Sequence, residues 1–90
     1  MPPEITLYTK GYCPHCKAAR ALLSAKGVRF VNHDIDITPE RRGEMIARAG
    51  GRTTVPQIFI ADFHVGGNSD LTALNTSGTL DALLNIKQPA

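Results

Sequence analysis

The 90-residue chain holds two cysteines, and they stand three positions apart in Tyr12-Cys13-Pro14-His15-Cys16. Positions i and i+3 share one face of an α-helix, so a helix beginning at Pro14 would set Cys13 at its tip and Cys16 one turn deeper. One sulfur would then be exposed and the other tucked away. Proline suits the first helical position because the amide it lacks has no partner there. The remaining free amides, with the positive end of the helix dipole, point toward Cys13, and such a field favours thiolate over thiol. An activated sulfur with a second one in reach can attack a disulfide and then be released by its neighbour. The pair reads as a dithiol redox site.

Activation of this kind helps departure more than attack. A cysteine of pKa about 8.5 is only about 3% thiolate at neutral pH, and lowering it to about 5 raises the reactive fraction about thirtyfold. The same shift costs at least as much in intrinsic nucleophilicity. What improves is the ability of the sulfur to leave a mixed disulfide as a stable thiolate.

The elements that must hold these sulfurs can be read in chain order. Ile5-Thr6-Leu7-Tyr8-Thr9 has the β-branched alternation of a strand, and Lys10-Gly11-Tyr12 carries it to the cysteines. From Pro14, Cys16, Ala19, Leu22 and Leu23 recur at helical spacing until Gly27, which predicts a helix to about Lys26. Residues 28–34 predict a second strand with Val28 and Phe30 on one face, and a strand, helix and strand in succession imply a parallel pair with a right-handed crossover. Thr38-Pro39-Glu40 predicts a helix start with Thr38 as cap and Pro39 in the first position. Met45, Ile46 and Ala49 are its buried stripe, Gly50-Gly51 its end, and Arg41, Arg42 and Arg48 a mostly solvated face. Residues 57–60 and 63–65 flank Ala61-Asp62 as an antiparallel hairpin. Gly66-Gly67-Asn68-Ser69-Asp70 leads into a short helix with Leu71 and Leu74. Ser77-Gly78 breaks it, and Thr79 is expected to cap a last turn carrying Leu80, Leu83 and Leu84.

Composition sets the outer bounds. With 42% apolar and 20% charged residues, the chain suits one globular domain, 1–90, with one core. A formal charge of +2, three phenylalanines, two tyrosines and no basic cluster beyond Arg41-Arg42 argue against nucleic acid as a partner. Met1-Pro2-Pro3-Glu4 begins a strand rather than a leader, and the apolar runs are short, so neither a signal peptide nor a membrane span is expected. The expected address is the cytoplasm, where a cysteine pair of this spacing is more often catalytic or metal-binding than structural.

This order of elements, with Cys13-Pro14-His15-Cys16, Thr54-Val55-Pro56 and Gly66-Gly67-Asn68-Ser69-Asp70-Leu71 at these separations, resembles the glutaredoxins of the thioredoxin-fold family over nearly the whole chain. The resemblance implies an α/β, thioredoxin-like fold, a four-stranded mixed sheet covered by three or more helices. It implies a glutathione-dependent thiol-disulfide oxidoreductase, with Cys13 and Cys16 catalytic, glutathione as the reducing co-substrate, and glutathionylated or disulfide-bonded proteins as partners. No metal is expected, and the chain is expected to be monomeric. By the same resemblance Pro56 would be cis and face the cysteines, Lys10 would attract the glycine carboxylate, and the Val55 backbone would pair with the cysteinyl amides. Thr54, Gly67 and Asn68 would complete the glutathione site. The amides of Ser69 and Asp70 would hold the γ-glutamyl carboxylate, as a helix start can, with Asp70 also meeting the ammonium. His33 and His64 are expected to be strand residues with satisfied or solvated rings.

Other readings of the cysteine pair carry less. A structural disulfide closing so short a loop constrains the unfolded chain by only about 2 kcal/mol. For zinc the pair is half a site, and His15, His33 and His64 complete no structural zinc spacing. A redoxin fed by a flavoprotein reductase would not saturate with glutathione, and iron-sulfur carriers of this kind usually have one active cysteine and no proline after it. His15 is the one departure from the family pattern, which commonly has tyrosine there. A protonated imidazole beside Cys13 would stabilise its thiolate and make the protein more oxidising, so Pro14 and His15 are the expected redox-tuning residues. Equilibration with a glutathione redox buffer should therefore give His15→Tyr a more reducing potential than the parent, and an equal or more oxidising value would remove His15 from that role.

Overall fold

Alternation along β1, Ile5–Thr9, sends Ile5 and Leu7 to one side and Thr6 and Tyr8 to the other, and all five residues are buried. A strand covered on both faces has to lie inside its sheet. In the computed structural model, which describes residues 3–86, the sheet order is β2-β1-β3-β4. Val31–Asp34 forms β2, parallel to β1, while Gln57–Ile60 forms β3 and Phe63–Gly66 forms β4, each antiparallel to its inner neighbour. The four helices are α1 (Pro14–Ala25), α2 (Arg41–Arg48), α3 (Asn68–Thr76) and α4 (Thr79–Leu83). This is the expected four-stranded mixed sheet with helices on its faces. Met1 and Pro2, read as the approach to the first strand, lie outside the described residues, as do residues 87–90 of the expected 1–90 domain.

The two faces carry two cores. On one, Ile5, Leu7, Ile58, Ile60 and Val65 meet Ala19 and Leu23 of α1, Leu71 of α3 and Leu80 of α4. On the other, Tyr8 and Phe59 meet Ile35, Met45 and Ala49, so α2 covers that face alone. Among the described residues no helix is long and apolar enough to cross a membrane.

Three local expectations are corrected. The second strand begins at Val31 and not at residue 28, because the parallel ladder starts where Val31 meets Thr6, close to the beginning of β1. Val28 and Phe30 still pack half-buried on the first core, without ladder bonds. The second helix begins at Arg41, and Thr38 does not cap it. Its carbonyl accepts from the Arg41 amide and that of Pro39 from the Arg42 amide, so Thr38-Pro39-Glu40 forms a tight turn before the helix. Gly78, not Thr79, is the cap of α4. It sits at φ +82°, a left-handed conformation that glycine adopts without a Cβ clash. Arg48 is exposed, as expected, and its guanidinium also lies 4.2 Å from the centre of the Phe59 ring and donates to the Tyr8 hydroxyl at 3.0 Å. That hydroxyl donates in turn to Glu44.

Leu23 links α1, and with it both cysteines, to the sheet, and it is fully buried. Leu23→Ala should lower the unfolding free energy by about 2–5 kcal/mol, measured by urea denaturation of the reduced protein. A loss below about 1 kcal/mol would mean that α1 is not held to the sheet by this side chain.

Candidate active site

Cys13 is the N-cap of α1, in extended conformation at φ −126° and ψ 107°, with Pro14 in the first position. Its carbonyl accepts from the Lys17 amide at 3.0 Å, and its Sγ accepts from the Cys16 amide at 3.2 Å. The chain therefore aims a helix-start amide at the sulfur. Cys13 is half-buried, and its Sγ lies 3.8 Å from the carbonyl oxygen of Val55. Cys16, a turn further on, is fully buried. Both are free thiols.

Access to water sets the protonation of Cys16. Burial pushes the Cys16 thiol up to about 12, with the hydrogen bond and charge of Cys13 adding to the rise, while a backbone contact from Lys10 and the charge of Arg20 oppose it. Cys16 is therefore a thiol at neutral pH. Cys16 thus lies behind the half-buried Cys13 as a protonated thiol.

Opposite Cys13, the chain enters β3 through a cis Val55-Pro56 bond. Val55, Pro56 and the exposed Thr54 form one wall of a groove of about 500 Å³. Gly67, Asn68 and Ser69 at the start of α3 form the other, and His15 and Thr72 line it as well. Helix geometry leaves the amides of Asn68, Ser69 and Asp70 without intrahelical acceptors, so this wall offers donors. The groove thus joins an exposed peptide edge to an anion-favouring helix start.

Cys13 adjoins the groove through Val55 without being one of its lining residues, and two of the expected glutathione-binding residues stand elsewhere. Lys10 is exposed at the end of β1 and is not part of the groove lining. Asp70 turns back on its own helix start: its Oδ2 accepts from the Gly67 amide at 2.9 Å and lies 3.7 Å from Nη1 of Arg52. That ion pair is half-exposed and contributes little stability, but it fixes the carboxylate beside the groove. Gly66 sits at φ +111°, a backbone conformation that strains any side chain, and an added Cβ would also push the Asp70 carboxylate and Arg52 Nη1 aside. Gly67 has ordinary space, with Pro56 O at 3.7 Å.

Sequence reasoning missed Thr72, Arg52 and Gln57. Thr72 was recoverable, since it follows Asn68 by four positions on α3 and its hydroxyl donates to the Asn68 carbonyl at 2.9 Å. Arg52 had no signal, lying in an irregular loop. Gln57 reads as a strand residue, yet its amide Nε2 donates to the Thr54 carbonyl at 3.0 Å and to the Thr54 hydroxyl at 3.1 Å.

A thioredoxin-like sheet that presents one half-buried cysteine at a helix tip and one buried cysteine a turn deeper defines a thiol-disulfide oxidoreductase. A glutaredoxin family profile matches residues 5–65. Glutaredoxin 3 of Escherichia coli K12 is 55% identical over 81 residues, covering 90% of this chain and 96% of its own length. The solution structure of glutaredoxin from Brucella melitensis is 46% identical with a TM-score of 0.79, covering 99% of this chain and 96% of that one. The crystal structure of a buckwheat glutaredoxin-glutathione complex shares the fold at a TM-score of 0.80 and 24% identity, over 90% of this chain and 76% of that one. The chain belongs to the glutaredoxin family.

Burial of Cys16 also couples stability to pH. A thiol whose folded value lies above its unfolded one binds its proton more tightly when folded, so its contribution is complete below 9.0 and is lost as pH rises toward about 12. Urea denaturation of the reduced protein at several alkaline pH values should show stability falling more steeply than in Cys16→Ala. Parallel slopes would show that Cys16 ionises as freely in the folded chain as in the unfolded one.

Proposed function

We propose that this protein is a glutathione-dependent reductase of protein-glutathione mixed disulfides and protein disulfides, working in the cytoplasm as a monomer without a resident metal. The observation that carries the proposal is the placing of Cys13 Sγ 3.8 Å from the carbonyl of Val55, a residue of the groove's peptide edge. Glutathione is a short peptide with carboxylates at its ends. An exposed strand-like edge suits its backbone, and the free amides at Ser69 and Asp70 suit the γ-glutamyl carboxylate. The buckwheat protein, solved as a glutathione complex, supports the same ligand here. Lys10 could serve the glycine carboxylate only by reaching in from outside the lining, and Asp70 could meet the ammonium while capping Gly67.

In the first step the Cys13 thiolate attacks the glutathione sulfur of a mixed disulfide. The protein thiolate leaves and takes up a proton, and Cys13 becomes glutathionylated. A second glutathione, as thiolate, attacks the glutathione sulfur of that adduct, which releases glutathione disulfide and returns Cys13 as a thiolate. With a protein disulfide, Cys13 forms a mixed disulfide with the substrate. Cys16 then attacks Cys13 Sγ, breaking its bond to the substrate sulfur, which leaves with the Cys16 proton; two glutathiones reduce the resulting Cys13-Cys16 disulfide and become glutathione disulfide.

Glutathione-coupled reduction of a small mixed disulfide tests the scheme. Cys13→Ser should fall to the buffer rate, while Cys16→Ser should keep most of the activity because glutathione resolves the adduct. Silence in the parent protein under saturating glutathione would overturn the proposal.

A further inference from the structure

Gln57 is fully buried and uses both ends of its amide. Its Nε2 donates twice to Thr54, to the carbonyl and to the hydroxyl, and its Oε1 lies 2.7 Å from Nε2 of His64. A carbonyl oxygen can only accept, so the amide nitrogen must face Thr54 and the amide oxygen must face the imidazole. An oxygen acceptor then requires the proton on that ring nitrogen. The three bonds together select the Nε2-H tautomer of His64.

The ring is held in place from behind. Residues 57 and 59 share a face of β3, and His64 pairs with Phe59 across the hairpin, so His64 reaches Gln57 on the diagonal. Its ring stacks on Phe59 with centroids 4.8 Å apart and planes 17° apart. Arg48 covers the Phe59 ring and is anchored by Tyr8. The charged groups acting on the imidazole are Arg52 and Arg48, which with burial push its pKa down, and Asp70, which opposes them. A continuous set of contacts runs from the buried Tyr8 through Arg48, Phe59, His64 and Gln57 to Thr54.

Thr54 is where this set reaches the groove, immediately before Val55 and Pro56. With its carbonyl and hydroxyl both taken by Gln57, the segment cannot turn them outward, and its orientation is set before any ligand arrives. We propose that His64, acting through Gln57, is a positioning residue that orders the Thr54–Pro56 edge for the glutathione moiety of the substrate. The proposal rests on the glutathione reading above. Without the imidazole donor, Gln57 keeps a buried oxygen with no partner, and its amide is free to flip and release Thr54.

An edge that binds the glutathione moiety equally in the ground and transition states affects KM and leaves kcat alone. His64→Phe, which keeps a ring to stack on Phe59 but removes the donor, should raise KM for a glutathionylated peptide about three- to tenfold, with kcat within about twofold. His64→Gln, which carries an N-H at similar reach, should restore KM to within about twofold of the parent. Hydrogen exchange should quicken in His64→Phe at residues 53–57 while the amides of β1 stay protected. In the unaltered reduced protein, a long-range proton-nitrogen NMR spectrum should show the Nε2-H tautomer at neutral pH. An Nδ1-H tautomer, an unchanged KM in His64→Phe, or faster exchange spread evenly over the sheet would each overturn the assignment. The tautomer and exchange measurements need no glutathione, so they stand or fall separately from the glutathione reading, which fails if the parent itself does not turn over with glutathione.

Discussion

A single helical turn separates a half-buried sulfur beside the Val55 carbonyl from one that water does not touch, and the rest of the molecule is arranged to keep that difference. Cys13 sits at the last point where the chain is still extended, and Cys16 at the first where α1 has closed over the sheet. The chemistry of disulfide exchange needs this asymmetry, since two equally exposed thiols would compete for the same partner. What enforces it is packing. Ala19 and Leu23 hold α1 down on β1 and β3, so Cys16 is carried inward by side chains that have no chemistry of their own.

Much of this was legible in the sequence because it is local. The spacing of Cys13 and Cys16, the proline between them and the recurrence of Ala19 and Leu23 describe one helix and its tip without reference to any other part of the chain. The alternation of residues 5–9 describes a strand. What failed was what depends on a neighbour. Val28 and Phe30 have strand character, but no ladder reaches them because the parallel register with β1 begins at Val31. Thr38-Pro39 has the composition of a helix start, but its carbonyls are drawn into a turn.

The candidate site divides in the same way. Three short motifs identified the family, and the groove gathers Thr54, Val55, Pro56, Gly67, Asn68 and Ser69 from two of them. Asp70 was legible as an early-helix acid but not as a carboxylate bent back onto Gly67 and facing Arg52. Gln57 and His64 are seven residues apart on neighbouring strands and meet only because the hairpin register sets Phe59 opposite His64. A bond of that kind is a property of pairing, and no window of sequence contains it. The arginine-covered face is a further instance, since Arg48 looks like a surface charge until Phe59 is seen beneath it.

Gly66 and Gly67 are neighbours with opposite tolerances, and this bears on how such a groove can diverge. The first sits at a positive φ that strains any side chain, whereas the second has a negative φ and room for a methyl group. Variation in ligand preference among descendants of this chain is therefore channelled to position 67 and to Thr72 across the helix turn, where atoms can be added without dismantling the loop. An engineer wishing to narrow the groove would begin there and leave the preceding glycine untouched.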